Sequence, residues 1–131
     1  MPTFRKFQDI EAWQKARELT RGLYAISSNS SFSKDFGLRD QIRKAGVSIM
    51  ANIAEGFEKD GTAEFIQFLA VAKGSAAEVV SHVYVALDQG YITKQEFDRL
   101  TTLATEVGRM LAALMSYLRR SGTPGLKFKS V

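Results

Sequence analysis

The stretch from Phe36 to Phe57 constrains the fold most, because its pattern predicts a helix that is apolar on two faces. One stripe recurs at steps of three and four residues, the spacing of a helix face, and contains Leu38, Ile42, Ala45, Ile49 and Ile53. A second apolar set lies largely outside this stripe: Val47, Met50, Ala51 and Ala54. A helix with a single buried face would carry charged residues there. We therefore expect this helix to pack on its own chain on one side and on another surface on the other.

Three further segments repeat with the helical period, and no segment alternates with the period of a strand. They cover about residues 9–28, 63–89 and 94–120. Short polar connections join the four helices, which favours antiparallel neighbours. The sequence therefore predicts an all-α protein, an antiparallel up-down four-helix bundle. Residues 1–122 would form this single domain, and residues 123–131 a disordered basic tail.

Local signals mark where the helices begin and end. Asp9 is the predicted N-cap of the first helix, Ser33 or Asp35 of the second, and Thr62 of the third. Gln89-Gly90 ends the third helix with a glycine C-cap. Thr93 and Glu96 have the spacing of a capping box, which opens the fourth helix.

The third helix also has a second, shallower apolar stripe, which suggests contact between subunits. Two helices that are apolar on two sides indicate a homo-oligomer. Asn52 lies close to the buried stripe, where an amide needs hydrogen-bond partners; it can fix a helix pairing, and a ligand role is the weaker alternative. Mid-helix Gly74 and Ser75 would permit close helix approach. The residues predicted for the oligomer interface or helix pairing are Val47, Met50, Asn52, Ala54, Glu55, Gly56, Ile66, Ala70, Ala77, Val80 and Tyr84.

The net charge of +4 comes from the C-terminal end of the chain, because no acidic residue follows Glu106. The four residues that account for it are Arg119, Arg120, Lys127 and Lys129. Arg39, Arg43 and Lys44, near the start of the central helix, join Arg119 and Arg120 as candidates for contact with the phosphates of RNA or DNA. Such binding would be electrostatic, salt-sensitive and weakly specific. The alternative is that these arginines pair with Asp35, Asp40 or Glu55 across helices.

Several kinds of site are excluded by the residues present. A di-iron bundle needs two Glu-x-x-His pairs, and this chain has one histidine, His82, with Glu78 four residues before it. That histidine is expected to be satisfied at a packed seam or to pair with Glu78. The chain lacks cysteine, a Gly-x-Ser-x-Gly elbow and a glycine-rich phosphate loop. We therefore expect no enzyme activity, metal or cofactor.

The same composition bears on the compartment. The chain has no apolar run of about 18 residues that would span a membrane. Its first residues also lack the apolar region of a signal peptide. A cytoplasmic protein that does not enter the membrane is expected.

Residues 7–120 resemble the four-helix bundle family that includes proteins encoded within 23S rRNA intervening sequences. The matching residues are Trp13, Gly37-Leu38, Gln41 to Ala45, Ser48-Ile49, Asn52 to Gly56, Phe65, Phe68-Leu69, Ala72 to Ser75, Glu78 and Gly90 to Ile92. The resemblance implies a ring-like homopentamer. Its relatives include accessory proteins of retroelements, which bind nucleic acid and a reverse transcriptase through a basic surface.

These observations lead to two alternative functions. The favoured one is a non-enzymatic homo-oligomer, a pentamer by the resemblance, that binds RNA or DNA weakly through Arg39, Arg43, Lys44, Arg119 and Arg120. The other is a structural or protein-binding scaffold that does not bind nucleic acid. Phosphate contacts would distinguish them, since they make binding weaken as salt rises.

Overall fold

The computed structural model describes residues 4–121 as a four-helix bundle. The helices are α1 (Glu11–Ser27), α2 (Phe36–Glu58), α3 (Thr62–Asp88) and α4 (Lys94–Ser121). Short 3-10 turns, Phe7–Asp9 and Phe32–Lys34, precede α1 and α2, and no strand occurs among the residues described. The predicted tail, residues 123–131, lies outside that range.

Neighbouring helices run in opposite directions, as predicted for an up-down bundle. Between α2 and α3, the hydroxyl oxygens of Ser48 and Ser75 are 3.0 Å apart. Further along α2, the ring of Phe57 meets that of Phe65, which is nearer the start of α3. The same reversal relates α1 to α4, where the pairs are Gly22 with Leu100 and Lys15 with Glu106. The predicted fold class is therefore confirmed.

The core lies where the stripes of three- and four-residue spacing meet. In α2 the inner stripe is buried from Ile42 to Ile53, while Leu38 at its start is half-buried. In α4, seven apolar residues that recur at steps of three and four are all buried: Phe97, Leu100, Ala104, Val107, Leu111, Leu114 and Leu118. Burial of these apolar side chains is the main favourable contribution to folding.

Three predicted helix ends are confirmed. The carboxylate of Asp35 accepts a hydrogen bond from the amide of Leu38 at 3.2 Å and caps α2. After α3, Gly90 has a φ of 74°, and the amide of Tyr91 donates to the carbonyl of Ala86, which is the Schellman pattern. The capping box of α4 forms both of its bonds: Thr93 N donates to Glu96 Oε1 at 2.8 Å, and Glu96 N donates to Thr93 Oγ1 at 3.0 Å.

Two predicted N-caps are wrong. The carboxylate of Asp9 accepts from the backbone amides of Arg5 and Lys6, so it closes the preceding 3-10 turn instead of capping α1. The buried Ile10 takes the N-cap position of α1. Thr62 is the first residue of α3, whose N-cap is Gly61.

Three glycines allow the helix backbones to approach one another closely. A Cβ placed at Gly46 would lie 2.9 Å from a methyl carbon of Leu23 in α1, and one at Gly56 would lie 2.6 Å from the Cβ of Phe68 in α3. At Gly22, the nearest atom would be a methyl carbon of Leu100, at 2.7 Å. A Cβ at Gly74 would have no such neighbour within 4 Å among residues 4–121, so the prediction that Gly74 permits close helix approach does not hold for that part of the chain.

We expect the substitution Gly56→Ala to destabilise the bundle, because the new methyl group meets the Cβ of Phe68, which cannot rotate away. Overpacking of this kind costs about 1–3 kcal/mol. A gain in helix propensity of about 1 kcal/mol offsets part of that cost. Urea unfolding should therefore show a lower free energy of unfolding for Gly56→Ala.

The matched control is Gly37→Ala, in the first turn of the same helix, where a Cβ would meet only Asp35 Oδ1 at 4.0 Å. This variant should be as stable as the wild type or more so. Equal stability of Gly56→Ala and Gly37→Ala would contradict the steric account of Gly56.

Candidate functional site

The five basic residues predicted to contact phosphates lie at opposite ends of the bundle. Arg39, Arg43 and Lys44 are near the start of α2, whereas Arg119 and Arg120 are on the last turn of α4. The end of α1, the start of α2, the last turn of α3 and the start of α4 all lie at one end. α4 has 28 residues, so it extends about 42 Å to the other end. One chain therefore does not bring these residues together.

Arg43 is held within its own chain. Its Nε donates to the hydroxyl of Ser27 at 2.8 Å, and Nη2 donates to that of Ser28 at 3.1 Å. Its guanidinium also lies over the ring of Tyr24, 4.7 Å from the centroid. The side chain thus joins the start of α2 to the end of α1.

Arg39 has similar local partners, while Lys44 is exposed. Arg39 Nε pairs with Asp40 at 2.9 Å, and Nη1 donates to the carbonyl of Ser33 at 3.2 Å. Of the predicted ion pairs, Arg39 with Asp40 is present, but it joins adjacent residues and not two helices. Lys44 lines a surface cavity of about 320 Å³ together with Gln41, Ala45, Ser48 and Glu78.

Arg119 and Arg120 are both exposed. Neither makes an ion pair or hydrogen bond through its side chain with another residue in the range 4–121. Cations suit the last turn of a helix, where the dipole is negative. These two side chains are therefore open to a partner in a way that Arg39 and Arg43 are not.

A polar seam joins α2 to α3 and includes Asn52, which is half-buried. Its Nδ2 donates to the carbonyl of Ser48 at 2.8 Å and lies 3.1 Å from the Ser48 hydroxyl, which in turn bonds to Ser75. The amide therefore acts on α3 through Ser48.

His82 is on α3 and has a side chain that is 14% exposed. Its Nε2 is 3.6 Å from Glu78 Oε2, so the predicted i,i+4 pairing is present. The distance is short enough for an ion pair but too long for a hydrogen bond. Nε2 has no hydrogen-bond partner among the residues described, so the alternative of a satisfied histidine is wrong for this atom. Within residues 4–121, no group of three or more potential metal ligands occurs.

The residues predicted for the oligomer interface differ in exposure. Val47 is 45% and Tyr84 54% exposed. Of the others, Glu55, Ala70 and Ala77 are exposed and Met50, Asn52, Ala54, Ile66 and Val80 are half-buried. Gly56 is buried against Phe65 and Phe68 of its own chain, so it pairs α2 with α3 and is not on an outer surface.

An apolar groove runs between α3 and α4 on the outside of the bundle, with a volume of about 720 Å³. We call it the α3–α4 groove. Its floor and walls are mostly small residues: Ala70, Gly74, Ala76, Ala77 and Val80 from α3, and Ala104, Gly108, Ala112 and Met115 from α4. The sequence analysis did not predict that α4 contributes to this surface, although Ala104, Gly108 and Ala112 recur at steps of four.

Comparison with known proteins identifies the family. The family described as 23S rRNA-intervening sequence protein matches residues 8–113. The chain belongs to this family. No curated protein matches the sequence.

A solved structure shares the fold of this family member. It is a protein of unknown function from the S23 ribosomal protein family of Bacteroides thetaiotaomicron, 25% identical in sequence, with a TM-score of 0.73. The match covers 80% of this chain and 95% of that one. None of the helices described is long and apolar enough to cross a membrane.

Tyr91 belongs to a clamp at the end of the bundle where α2 begins. Its hydroxyl donates to Asp35 Oδ2 at 2.9 Å, and its ring stacks on Phe32 with centroids 5.0 Å apart. Asn29 Nδ2 donates to the Tyr91 carbonyl at 3.2 Å. The hydrogen bond to Asp35 raises the pKa of Tyr91 above its ordinary 10.0, and desolvation and the Asp35 charge act in the same direction.

This shift predicts a loss of stability in alkaline solution. Because the pKa is higher in the folded chain than in the unfolded one, the folded chain holds the phenol proton more tightly. The contribution to stability is complete below the ordinary pKa of 10.0 and is lost as the pH rises through the folded value. Urea unfolding from about pH 8 to well above the ordinary tyrosine pKa of about 10 should show a smaller alkaline loss of stability for Tyr91→Phe than for the wild type. Parallel pH profiles for the two proteins would show that this bond contributes nothing.

Proposed function

We propose that the protein is a non-enzymatic subunit of a homo-oligomer that binds RNA or DNA weakly and by charge. The observation that carries the assembly is the outer apolar surface: the α3–α4 groove together with exposed side chains such as Val47 and Tyr84. The groove and Val47, which lies on the outer face of α2, are separate apolar regions, and each is a candidate interaction surface. A homopentamer is the assembly that the family resemblance implies, and a cytoplasmic location belongs to the same proposal.

Nucleic-acid binding is supported by the end of the chain that carries the excess charge. Arg119 and Arg120 are exposed, and Lys127 and Lys129 follow them in the sequence without an acidic residue. Since one chain offers few free cations at this end, an assembly that gathers several such ends is the form expected to bind.

The second candidate is a scaffold that assembles, or binds another protein, without contacting nucleic acid. It is favoured by the internal bonds of Arg39 and Arg43, which leave fewer cations for phosphate. Both candidates require an interaction of the outer apolar surface, so assembly and nucleic-acid binding need separate experiments.

Assembly is tested by the mass of the native protein in solution. Light scattering at low and moderate salt should give a species near five times the 14.6 kDa of one chain. Since the proposed contacts are largely apolar, the mass should change little with salt. A monomer at both salt concentrations would rule out the proposed oligomer.

Nucleic-acid binding is tested by a salt titration with a labelled single-stranded RNA. Log affinity should fall linearly with log salt, because phosphate contacts release counterions. The double variant Arg119→Gln/Arg120→Gln should bind more weakly and with a shallower slope, by about one for each phosphate that the variant no longer neutralises.

The matched control removes the same charge from the outer face of α1, with Arg17→Gln/Arg21→Gln, both exposed. This variant should keep the slope of the wild type. An equal loss in both variants would assign the effect to net charge instead of the end of α4. Absence of RNA binding by an assembled wild type would favour the scaffold.

A further inference from the structure

Two glycines of the α3–α4 groove have no packing role among residues 4–121. Glycine in a helix interior is less favourable than alanine by roughly 1 kcal/mol. Gly22, Gly46 and Gly56 lie against a neighbouring helix, but a Cβ at Gly74 or Gly108 would meet nothing within 4 Å. Both residues line the groove, one from each wall. Because these two residues lack side chains, the groove is deeper. The added depth favours contact with a partner surface that enters the groove from outside.

The shape of the groove limits what can fill it. It is concave, so two copies of the groove placed face to face would leave empty space between them, which lacks the packing contacts that stabilise an interface. A convex, apolar helix surface fits better, because small residues let a second helix backbone come close. The occupant should therefore be a helix with a narrow apolar ridge.

The outer face of α2 offers a short ridge of this kind between the exposed charged residues Lys44 and Glu58. Val47 is 45% exposed, Ala51 is exposed and Ala54 is half-buried, at steps of four and three residues. α2 packs on α1 and α3 of its own bundle, so its outer face points away from the α3–α4 groove. One chain cannot fill its own groove with α2, but a second copy can.

Charges at the two surfaces are complementary. Lys73 and Arg109 line the groove, and both are exposed. Glu55 is exposed one turn after Ala51 on the ridge. Among residues 4–121, none of these three charged side chains has an ion-pair partner. A carboxylate brought against the two cations would give each side a partner of opposite charge.

We propose that the outer face of α2 in one copy lies in the α3–α4 groove of the next copy, with Glu55 against Lys73 and Arg109. This inference rests on the proposed self-assembly and specifies its contact. The two surfaces differ, so the contact is heterologous: every copy offers one groove and one ridge. Contacts of this kind close into rings when the rotation between subunits allows it.

A charge exchange tests the pairing directly. Glu55→Lys places a third cation beside Lys73 and Arg109, and Arg109→Glu places a second carboxylate beside Glu55. Each single variant should raise the concentration at which the assembly dissociates by about tenfold, measured by analytical ultracentrifugation. The double variant should recover most of the wild-type affinity, because it restores opposite charges across the contact.

A second variant fills the groove. Gly108→Leu should leave the helix content unchanged, since the site is open within the chain, and should abolish assembly. The control is Thr102→Leu, on an exposed position of the same helix that does not line the groove. It should assemble as the wild type does.

The outcomes separate the pairing from the assembly on which it rests. A monomeric wild type would overturn both. A second outcome is that the wild type assembles, the effects of the two charge variants are additive and Gly108→Leu still assembles. That outcome would overturn the pairing of α2 with the groove but not the proposed oligomer. If Gly108→Leu fails to fold, the charge exchange between Glu55 and Arg109 still tests whether α2 lies in the groove.

Discussion

The close approach of α2 to its two neighbours is the constraint on which the rest of the structure depends. Gly46 allows contact with Leu23 and Thr20 of α1, and Gly56 allows contact with Phe65 and Phe68 of α3. These contacts fix the rotation of α2 about its axis. The same rotation places Ser48 against Ser75 in the polar seam and leaves Val47 outside. A side chain at either glycine would separate the helices and change which residues of α2 face outward.

Much of the fold follows from signals that act over a few residues. The buried stripes, the capping box of Thr93 and the C-cap at Gly90 depend on helical spacing and local hydrogen bonds, and all were predictable. The N-cap predicted at Asp9 was wrong because its carboxylate accepts hydrogen bonds from the amides of Arg5 and Lys6 in the preceding turn. The N-cap predicted at Thr62 was wrong by one residue, since Gly61 takes that position. Pattern alone does not contain that information.

The candidate site was less predictable, because it depends on the tertiary arrangement. The spacing of Arg43 on α2 suggests a basic surface, but the end of α1 brings Ser27 and Ser28 to its guanidinium. Antiparallel packing then separates Arg39 from Arg119 by nearly the length of a helix. The α3–α4 groove needs two helices to lie side by side, so no single-helix pattern shows it. The repeat of small residues in α4 was the one sequence feature that indicated the groove.

Five glycines in the interiors of the helices form two groups, and the difference bears on function. Gly22, Gly46 and Gly56 improve packing within the chain and so offset their unfavourable helix propensity. Gly74 and Gly108 bring no such gain within the part of the chain that the structure describes. Alanine would fit at both positions without steric conflict, yet both walls of the groove carry glycine. Such a groove is suited to close contact with the backbone of a partner helix. The monomer surface is thus better explained as one half of a contact than as a surface that only meets water, and the basic ends of α4 would then act as a group arranged by that contact.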